Sequence, residues 1–249
     1  MKTVVVIPAR YESSRFPGKP LVLLLGKPMI LWVAKLSAKA VGKECVYVAT
    51  DNKEIAEVVM NSGFQVVMTS SDALTGTDRL AEVAMQVEAD IYINVQGDEP
   101  LVLPIDILKA IEEKVKTPEM VINGYCELAS DEDPKSVNIP KVIFNENRQM
   151  IYMSRQPIPG CKDEKSAPLE FYKQVCIYAF NRQELIDFGL YARKSLIEAS
   201  EDIEILRFLE WNQPIKMFKT HPGSLAVDVP SDVQKVEEAL LAMTGSHSK

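Results

Sequence analysis

Histidine is nearly absent from this sequence, which contains only His221 and His247 among its 249 residues. A mechanism built on histidine, such as a Ser-His-Asp triad, therefore has at most one candidate, because His247 lies in the polar segment TGSHSK, which we expect to be frayed. His221 precedes Pro222, and this pattern is more typical of a turn than of a catalytic residue. The sequence therefore favours chemistry that needs no histidine.

Cysteine pairs at metal-binding or redox spacing are also absent. The four cysteines are Cys45, Cys126, Cys161 and Cys176, and none of them forms a C-x-x-C pair. Neither a zinc site nor a thiol redox motif is therefore indicated. We expect these thiols to be mostly buried and reduced.

Long hydrophobic runs and an excess of positive charge are missing as well. No apolar run approaches the roughly 20 residues that a membrane-spanning helix needs, and the run at residues 4–7 is too short for a signal peptide. We therefore predict a cytoplasmic protein with no membrane partner. The formal net charge of −7 argues against nucleic acid as a partner, so an anionic ligand would have to meet a local basic cluster.

The first half of the chain contains a regular alternation of strand and helix patterns. Short apolar runs predict strands at residues 4–7, 45–49, 65–68 and 91–95. Helical periodicity predicts helices at residues 28–40, 53–60, 78–87 and 105–115. This order indicates an α/β protein with a doubly wound, mostly parallel, Rossmann-like sheet, which we expect to form a single domain over residues 1–249.

The alternation ends near Thr117. Strands are predicted at residues 121–128, 141–144, 151–153 and 175–180, with a long loop at residues 154–169. Further along we predict a helix at residues 201–210 capped by Ser200, a strand at residues 225–229 and a helix from Pro230 through Leu241. We expect a smaller, strand-rich lobe over about residues 124–174 that covers the open edge of the sheet.

The loop after the first strand, at residues 8–20, carries three basic side chains on a constrained backbone. Arg10, Arg15 and Lys19 lie within ten residues of each other, and Gly18 stands between two prolines. Ligands bind at the carboxyl ends of strands in open α/β sheets, and three cations there suit a triphosphate. A solvated basic loop is the alternative. Neither the Walker A motif nor the glycine fingerprint of dinucleotide-binding proteins is present.

Two aspartates follow predicted strands and are candidate metal ligands. Asp98 lies in the segment NVQGDEP at residues 94–100, where Gln96 could bind a base, a phosphate or a sugar, and Asp228 lies in LAVDVP at residues 225–230. Carboxylates at the ligand edge of a sheet are suited to hold Mg²⁺. Taken alone, Asp98 could equally form a turn and Asp228 could cap a helix.

The segment LTGTDR at residues 74–79 combines glycine and threonine at a predicted helix start. Gly76 and Thr77 could turn main-chain groups toward a base or a ribose. An ordinary helix cap formed by Thr77 or Asp78 explains the same pattern equally well.

Together these segments resemble the 3-deoxy-D-manno-octulosonate (Kdo) cytidylyltransferases, also called CMP-Kdo synthetases. The most specific segment is PARYESSRFPGKP at residues 8–20, and five further segments follow in the order found in that family. They lie at residues 49–51, 76–79, 94–100, 154–155 and 227–228. The resemblance extends from Val4 to about Glu238 and implies a nucleotidyltransferase with CTP as donor.

The resemblance implies roles for residues in the nucleotide half of the chain. The implied nucleotide-binding residues are Ala9, Arg10, Arg15, Lys19, Gly76, Thr77, Arg79 and Gln96. Among them Gly76, Thr77 and Arg79 would bind cytosine and ribose. The implied catalytic residues are Arg10, Lys19 and Asp98, and Asp98 would also bind Mg²⁺ together with Asp228.

The acceptor half matches the family less completely. The implied sugar-binding residues are Gln96, Arg155, Gln174, Tyr178 and Glu204. However, Gln174 stands where the family usually has histidine, and Ile205 stands where it usually has glutamine. The basic residue expected after Arg155 has no clear match, although Lys162 and Lys165 lie near. These departures leave the exact sugar acid open.

The implied reaction joins CMP from CTP to the anomeric 2-hydroxyl of a 3-deoxy-2-ulosonic acid, most simply Kdo, and releases pyrophosphate. The family also implies a homodimer. The alternatives are the same chemistry on another or an amino-substituted ulosonic acid, nucleotidyl transfer to a sugar phosphate, and a nucleotide-binding module that has lost catalysis.

Overall fold

The computed structural model describes residues 1–12, 16–163, 165, 170–222 and 225–245 of the chain. Its strands are β1 (Thr3–Ala9), β2 (Leu23–Leu24), β3 (Lys27–Pro28), β4 (Val46–Thr50), β5 (Gln65–Met68), β6 (Ile91–Val95), β7 (Val121–Glu127), β8 (Lys141–Phe144), β9 (Met150–Ser154), β10 (Tyr172–Phe180) and β11 (Ile215–Lys219). Its α-helices are α1 (Met29–Val41), α2 (Lys53–Asn61), α3 (Gly76–Gln86), α4 (Pro104–Lys116), α5 (Arg182–Leu190), α6 (Leu196–Glu201), α7 (Leu206–Glu210) and α8 (Asp232–Gly245). Within these ranges, no helix has the length and apolar character needed to cross a membrane.

The central sheet has the strand order β11-β7-β10-β6-β1-β4-β5. β1 pairs in parallel with β4 and β6, and β4 with β5, whereas β10 runs antiparallel to both β6 and β7. The predicted doubly wound, mostly parallel sheet is therefore confirmed. From β1 the chain builds the sheet outward through β4 and β5, and then returns to the other side of β1 as β6. This reversal creates a crevice at the carboxyl ends of β1 and β6, where ligands bind in such folds.

The apolar run of β1 is buried on both faces of the sheet. Val4 and Val6 belong to one core cluster, and Val5 and Ile7 belong to the other, as expected when successive side chains point to opposite faces. All four side chains are fully buried. The continuous run VVVI therefore specifies a central strand rather than an edge strand.

The structure differs from the predicted helix at residues 201–210. This segment contains the end of α6 and all of α7, because α6 ends at Glu201 and the next residue, Asp202, is left-handed with φ 51°. The predicted cap at Ser200 is also wrong. Ser195 begins α6 instead, in a capping box with Glu198. A left-handed residue breaks the helical hydrogen-bond ladder, which sequence periodicity alone did not reveal.

The predicted strand at residues 225–229 is also wrong, because residues 225–229 belong to no strand. Their main-chain donors bond elsewhere: Val227 N donates to the Asp98 carbonyl oxygen at 3.0 Å. Asp228 N and Val229 N both donate to Asp232 Oδ2, at 2.8 and 3.0 Å. A side-chain carboxylate therefore replaces the sheet partner. Four elements were not predicted at all, namely α5, β11 and the two-residue strands β2 and β3.

The segment between β7 and β10 carries the antiparallel hairpin of β8 and β9. β8 contacts β10 at one register position, Lys141 opposite Lys173. Both β7 and β10 belong to the central sheet, so the ends of the proposed lobe at about residues 124–174 fall inside these strands. The division into a domain and a lobe stays a prediction. In the predicted loop at residues 154–169, residues 164 and 166–169 lie outside the described part.

The cysteines are free, as the sequence predicts. The expectation that most of them are buried is wrong, because only Cys126 is buried, while Cys45 and Cys176 are half-buried and Cys161 is exposed.

A buried ion pair ties α4 to the start of α5. Lys114 Nζ lies 2.7 Å from Glu184 Oε2, and the side chains are only 1% and 7% exposed. The ammonium also donates to the Met120 carbonyl oxygen at 2.7 Å. Burial lowers the pKa of Lys114 and raises that of Glu184. Burial removes water from both charges, and the attraction between Lys114 and Glu184 offsets this cost only while both partners are present.

Replacing Lys114 by methionine should destabilise the fold, because Glu184 would be left buried without its counter-ion. We expect Lys114→Met to lower the free energy of unfolding by about 3–5 kcal/mol in urea denaturation. Lys116→Met is the matched control, because Lys116 lies on the same helix with a side chain that is 55% exposed and pairs with Glu112 and Glu113. Similar stability losses in the two variants would contradict the assignment.

Candidate active site

A cleft of about 840 Å³ opens at the carboxyl edge of the sheet. Its walls come from the ends of β1 and β6, the start of α3, one face of β10, and the segments around residues 137–140 and 194–204. Gly97 allows the two strand ends to come together, because a Cβ atom at this position would lie 2.8 Å from the Pro8 carbonyl oxygen. The site therefore requires glycine at the floor of the cleft.

The loop after β1 brings Arg10 and Lys19 to the cleft, as predicted. Ala9 is buried at the end of β1, and Arg10 is exposed. Gly18 adopts φ 70° and its N–H donates to the Tyr11 carbonyl oxygen at 2.9 Å, which folds the loop back on itself. Arg15, the third predicted cation, lies outside the described residues.

Lys19 joins the two predicted metal ligands. Its Nζ lies 2.5 Å from Asp98 Oδ2 and 3.6 Å from Asp228 Oδ1. Because both carboxylates contact one ammonium, Asp98 and Asp228 are neighbours in space although 130 positions separate them. The meeting of these two side chains was the step that the sequence could not establish.

Two carboxylates at one edge of the cleft suit a hard divalent cation. Mg²⁺ in phosphate-binding sites is held by one or two carboxylates, with phosphate oxygens and water completing the shell. A group of three or more histidine, cysteine or acidic side chains placed to hold a metal does not occur among the described residues. The donor set therefore fits a cation shared with a phosphate ligand better than a cage made wholly by protein.

The start of α3 is capped by Thr75, which is neither of the caps considered from the sequence. Thr75 Oγ1 accepts from Asp78 N at 3.2 Å and donates to Asp78 Oδ2 at 2.7 Å. Gly76 packs closely against two side chains, since a Cβ there would lie 2.9 Å from Gln96 Nε2 and 3.2 Å from Pro8 Cγ. The role of Gly76 and Thr77 in binding base or ribose stays a prediction.

Arg79 lines the cleft but is only 3% exposed. Its Nη1 donates to Thr69 Oγ1 at 2.6 Å and to the Ser70 carbonyl oxygen at 3.0 Å. Its Nη2 pairs with Asp51 Oδ2 at 3.1 Å. Arg79 therefore fixes the loop that follows β5 against α3, and its predicted contact with the nucleotide stays untested.

Glu204 links the two halves of the cleft. Its Oε2 accepts from Thr77 N at 3.0 Å, and its Oε1 accepts from Gln96 Nε2 at 3.3 Å. Burial raises the pKa of this carboxyl above its usual range, while the hydrogen bond from Thr77 N opposes that shift. The predicted sugar-side carboxylate thus lies directly against residues predicted to bind the nucleotide.

Gln174 and Tyr178 form one hydrogen-bonded unit on β10. The Gln174 amide nitrogen donates to Asn123 Oδ1 at 3.1 Å and to the Tyr178 hydroxyl at 3.0 Å. Burial raises the pKa of Tyr178 well above its usual value, so this hydroxyl stays protonated. Both side chains line the cleft and are neutral, so they offer hydrogen bonds but no charge to an acidic ligand.

Arg155 also lines the cleft, and main-chain carbonyls hold much of its guanidinium. Nε donates to Glu201 O at 2.5 Å, Nη1 to Val137 O at 2.7 Å and Nη2 to Asp202 O at 2.9 Å. A guanidinium has five N–H groups, so two remain for a ligand. Arg155 can therefore anchor the cleft wall and contact an anion at the same time.

Sequence reasoning missed several residues of the acceptor wall. Lys194, Asp202, Asn138 and Cys176 line the cleft, whereas neither Lys162 nor Lys165 lies among the described lining residues. The sequence did contain one relevant signal, the capping box formed by Ser195 and Glu198. It predicts that a helix begins at this point and that Lys194 lies directly before it.

Ile205, in contrast, is only 1% exposed and belongs to the hydrophobic core. The isoleucine that replaces the usual glutamine therefore packs in the protein interior and does not face the cleft.

The chain is similar to known proteins over most of its length. A model of the family described as cytidylyltransferase matches residues 4–216. The chain is 41% identical over 250 residues to the 3-deoxy-manno-octulosonate cytidylyltransferase of Geobacter metallireducens, with 96% of this chain and 98% of the relative covered. It is 39% identical over 248 residues to the 8-amino-3,8-dideoxy-manno-octulosonate cytidylyltransferase of Shewanella amazonensis, with 96% and 99% covered.

A solved structure matches the whole fold. It is described as CMP:2-keto-3-deoxy-manno-octonic acid synthetase complexed with CTP, and it superposes with a TM-score of 0.89 at 37% identity. The match covers 98% of this chain and 100% of that chain.

Glu204 should make the stability of the protein depend on pH. Because burial raises its pKa, the folded protein holds this proton more tightly than the unfolded chain does. The stability that protonated Glu204 confers is present below the usual glutamate pKa of about 4.3 and is lost as the pH rises through the folded value. We expect the free energy of unfolding of the wild type to fall relative to that of Glu204→Gln between about pH 4 and pH 7 in urea denaturation.

Glu201 provides a control of opposite sign. Burial acts to raise its pKa, but hydrogen bonds from Ser154 Oγ and Arg155 N outweigh it and lower the pKa. The difference between wild type and Glu201→Gln should therefore shrink as the pH falls below about 4. A pH-independent difference for Glu204→Gln would contradict the raised pKa.

Proposed function

The chain belongs to the cytidylyltransferase family, and on this basis we propose that it transfers CMP from CTP to the anomeric 2-hydroxyl of a 3-deoxy-2-ulosonic acid, Kdo, with release of pyrophosphate. Relatives with this activity in their names are about two-fifths identical over nearly the whole chain. The observation that carries the proposal is the meeting of Lys19, Asp98 and Asp228 at the switch point of the sheet. The CMP-sugar product would serve lipopolysaccharide or capsule biosynthesis.

The reaction needs positioning and charge neutralisation more than covalent catalysis. The 2-hydroxyl releases its proton to water as its oxygen attacks the α-phosphorus. The bond between the α-phosphorus and the oxygen it shares with the β-phosphate breaks, and pyrophosphate leaves with the bonding electrons. Arg10 and Lys19 would bind the β- and γ-phosphates and stabilise the charge that develops on the leaving group. In support, Lys19 lies at the carboxyl edge of the sheet, only 14% exposed, where its charge is poorly screened by water.

We propose Mg²⁺ as the cofactor, held by Asp98 and Asp228. A divalent cation there would neutralise phosphate charge and lower the pKa of the attacking hydroxyl. Among the described residues that line the cleft there is no histidine. His221 instead contacts Asp106, with its Nδ1 at 2.8 Å from Asp106 Oδ1. This arrangement supports the interpretation that the reaction proceeds without a histidine base.

The acceptor half would hold the sugar acid through hydrogen bonds and a carboxylate contact. Arg155 keeps two N–H groups for the acid, while Gln96, Gln174, Tyr178 and Glu204 would contact hydroxyls. Glu204, which would contact the sugar acid, hydrogen-bonds to Gln96 and Thr77, which would contact CTP. The two substrates would therefore lie next to each other. Proximity of this kind supplies much of the rate enhancement in group transfer.

An amino-substituted ulosonic acid is the second candidate acceptor. A relative named for the 8-amino acid is as similar as several named for Kdo. Gln174 also replaces the usual histidine in the cleft, although the buried Ile205 does not face the acceptor. A catalytically inactive module is disfavoured, because both carboxylates and both phosphate-binding cations are present. A homodimer and a cytoplasmic location remain predictions.

The acceptor should be identified by measuring pyrophosphate release from CTP and Mg²⁺ with a panel of sugar acids. We expect the highest kcat/KM with Kdo and little release with UTP as donor. Preference for the 8-amino acid would select the second candidate. Binding of CTP without turnover on any acid would favour the inactive module and contradict the proposed function.

Asp98→Asn should remove activity while keeping the fold. The substitution preserves side-chain size but removes the charge that would hold the cation, so we expect kcat to fall by roughly 10³-fold or more. Pyrophosphate release at saturating CTP and Mg²⁺ measures the effect, and circular dichroism checks the fold. Asp131→Asn, which changes an exposed carboxylate outside the cleft, should retain normal turnover. Near-normal release by Asp98→Asn would contradict the metal assignment.

A further inference from the structure

Two basic side chains contact Asp202 on the acceptor wall of the cleft, Lys194 at its exposed carboxylate and Arg155 at its main-chain carbonyl. Lys194 Nζ lies 2.5 Å from Asp202 Oδ1, and Arg155 Nη2 donates to the Asp202 carbonyl oxygen at 2.9 Å. The hydrogen bond from Lys194 lowers the pKa of Asp202, and Arg155 and Arg10 add to this effect. The wall therefore contains a lysine that already binds a carboxylate.

Hydrogen bonds fix the main chain of Asp202, whereas its side chain is exposed to solvent. Asp202 N donates to the Glu198 carbonyl oxygen at 2.8 Å and its own carbonyl is bound by Arg155, whereas its side chain is 71% exposed. Exposed ion pairs of this type contribute little to stability. The contact between Lys194 and Asp202 can therefore exchange for another anion at small energetic cost.

Three other cations of the cleft, Lys19, Arg79 and Arg155, are held by more than one group each. Lys19 contacts two carboxylates, and Arg79 is buried on Asp51 and Thr69. Three N–H groups of Arg155 are bound by main-chain carbonyls. Of the lysines that line the described cleft, Lys194 is the more exposed, at 33% against 14% for Lys19. Its ammonium is thus well placed to change partner.

We propose that Lys194 is an acceptor-binding residue whose ammonium exchanges the Asp202 carboxylate for the carboxylate of the sugar acid. This inference rests on the proposed function and deepens it. In the free protein, the Asp202 carboxylate occupies the position that the substrate carboxylate takes in the complex. Its negative charge reduces the repulsion between the positive charges of Lys194 and Arg155. Lys194 supplies the positive charge that the neutral Gln174 does not.

The proposal is tested by steady-state kinetics with CTP, Mg²⁺ and the acid that the wild type uses. Lys194→Met should raise KM for the acid by about tenfold or more, because a charge-assisted hydrogen bond is lost, and should leave KM for CTP unchanged. Lys194→Arg keeps the charge and should restore most of the affinity. Lys219→Met is the matched control, since Lys219 pairs with Glu127 outside the cleft.

The outcomes separate this inference from the proposed function. An unchanged KM for the acid in Lys194→Met, or an equal rise in the KM for CTP, would overturn the role of Lys194 even though the wild type is active. A rise seen in Lys162→Met but not in Lys194→Met would assign the carboxylate to the loop after Arg155 and also overturn it. Failure of the wild type to turn over any acid would instead count against the proposed function.

Discussion

The ammonium of Lys19 holds three distant parts of the chain at one point. It contacts Asp98, which follows β6, and Asp228, which precedes α8, and it belongs itself to the loop after β1. The main chain reinforces this junction, because Val227 N donates to the Asp98 carbonyl oxygen. Without a cation between them, two carboxylates at this edge would repel each other. The geometry of the donor half therefore depends on this contact.

The acceptor half is attached to the donor half through charged side chains of the late helices. Glu204 accepts from Thr77 N, and Arg207 on α7 pairs with Asp78 at 2.9 Å while it also binds Glu198 at 2.7 Å. Arg207 is fully buried, and a guanidinium in that position is stable only when its donors are satisfied. The start of α3 is thereby fixed against the segment that carries Lys194 and Asp202.

Although the net charge of the protein is −7, one cleft contains several basic side chains. Arg10, Lys19, Arg79, Arg155 and Lys194 all line that cleft. Several of them are paired with aspartates in the free protein, namely Asp98, Asp51 and Asp202. These pairings keep like charges from repelling one another until an anionic ligand is present. The cleft thus contains five basic side chains whose charges are largely balanced by the acidic side chains that also line it, namely Asp98, Asp202, Glu204 and Asp228.

The sequence by itself determined the features that depend on near neighbours. The run VVVI specified a central strand, alternating patterns specified the parallel sheet, and the cations of residues 8–20 marked the ligand edge. Signals for α5 and β11 were also available, in the Asn181–Glu184 capping box and in the alternation of Ile215 and Met217 with polar residues. Only the tertiary structure decided that Asp98 meets Asp228, that carbonyls hold Arg155, that Ile205 is core and that Lys194 reaches the cleft. The reason is physical: periodicity and capping act over a few residues, whereas these contacts join segments brought together by packing of the sheet and its helices.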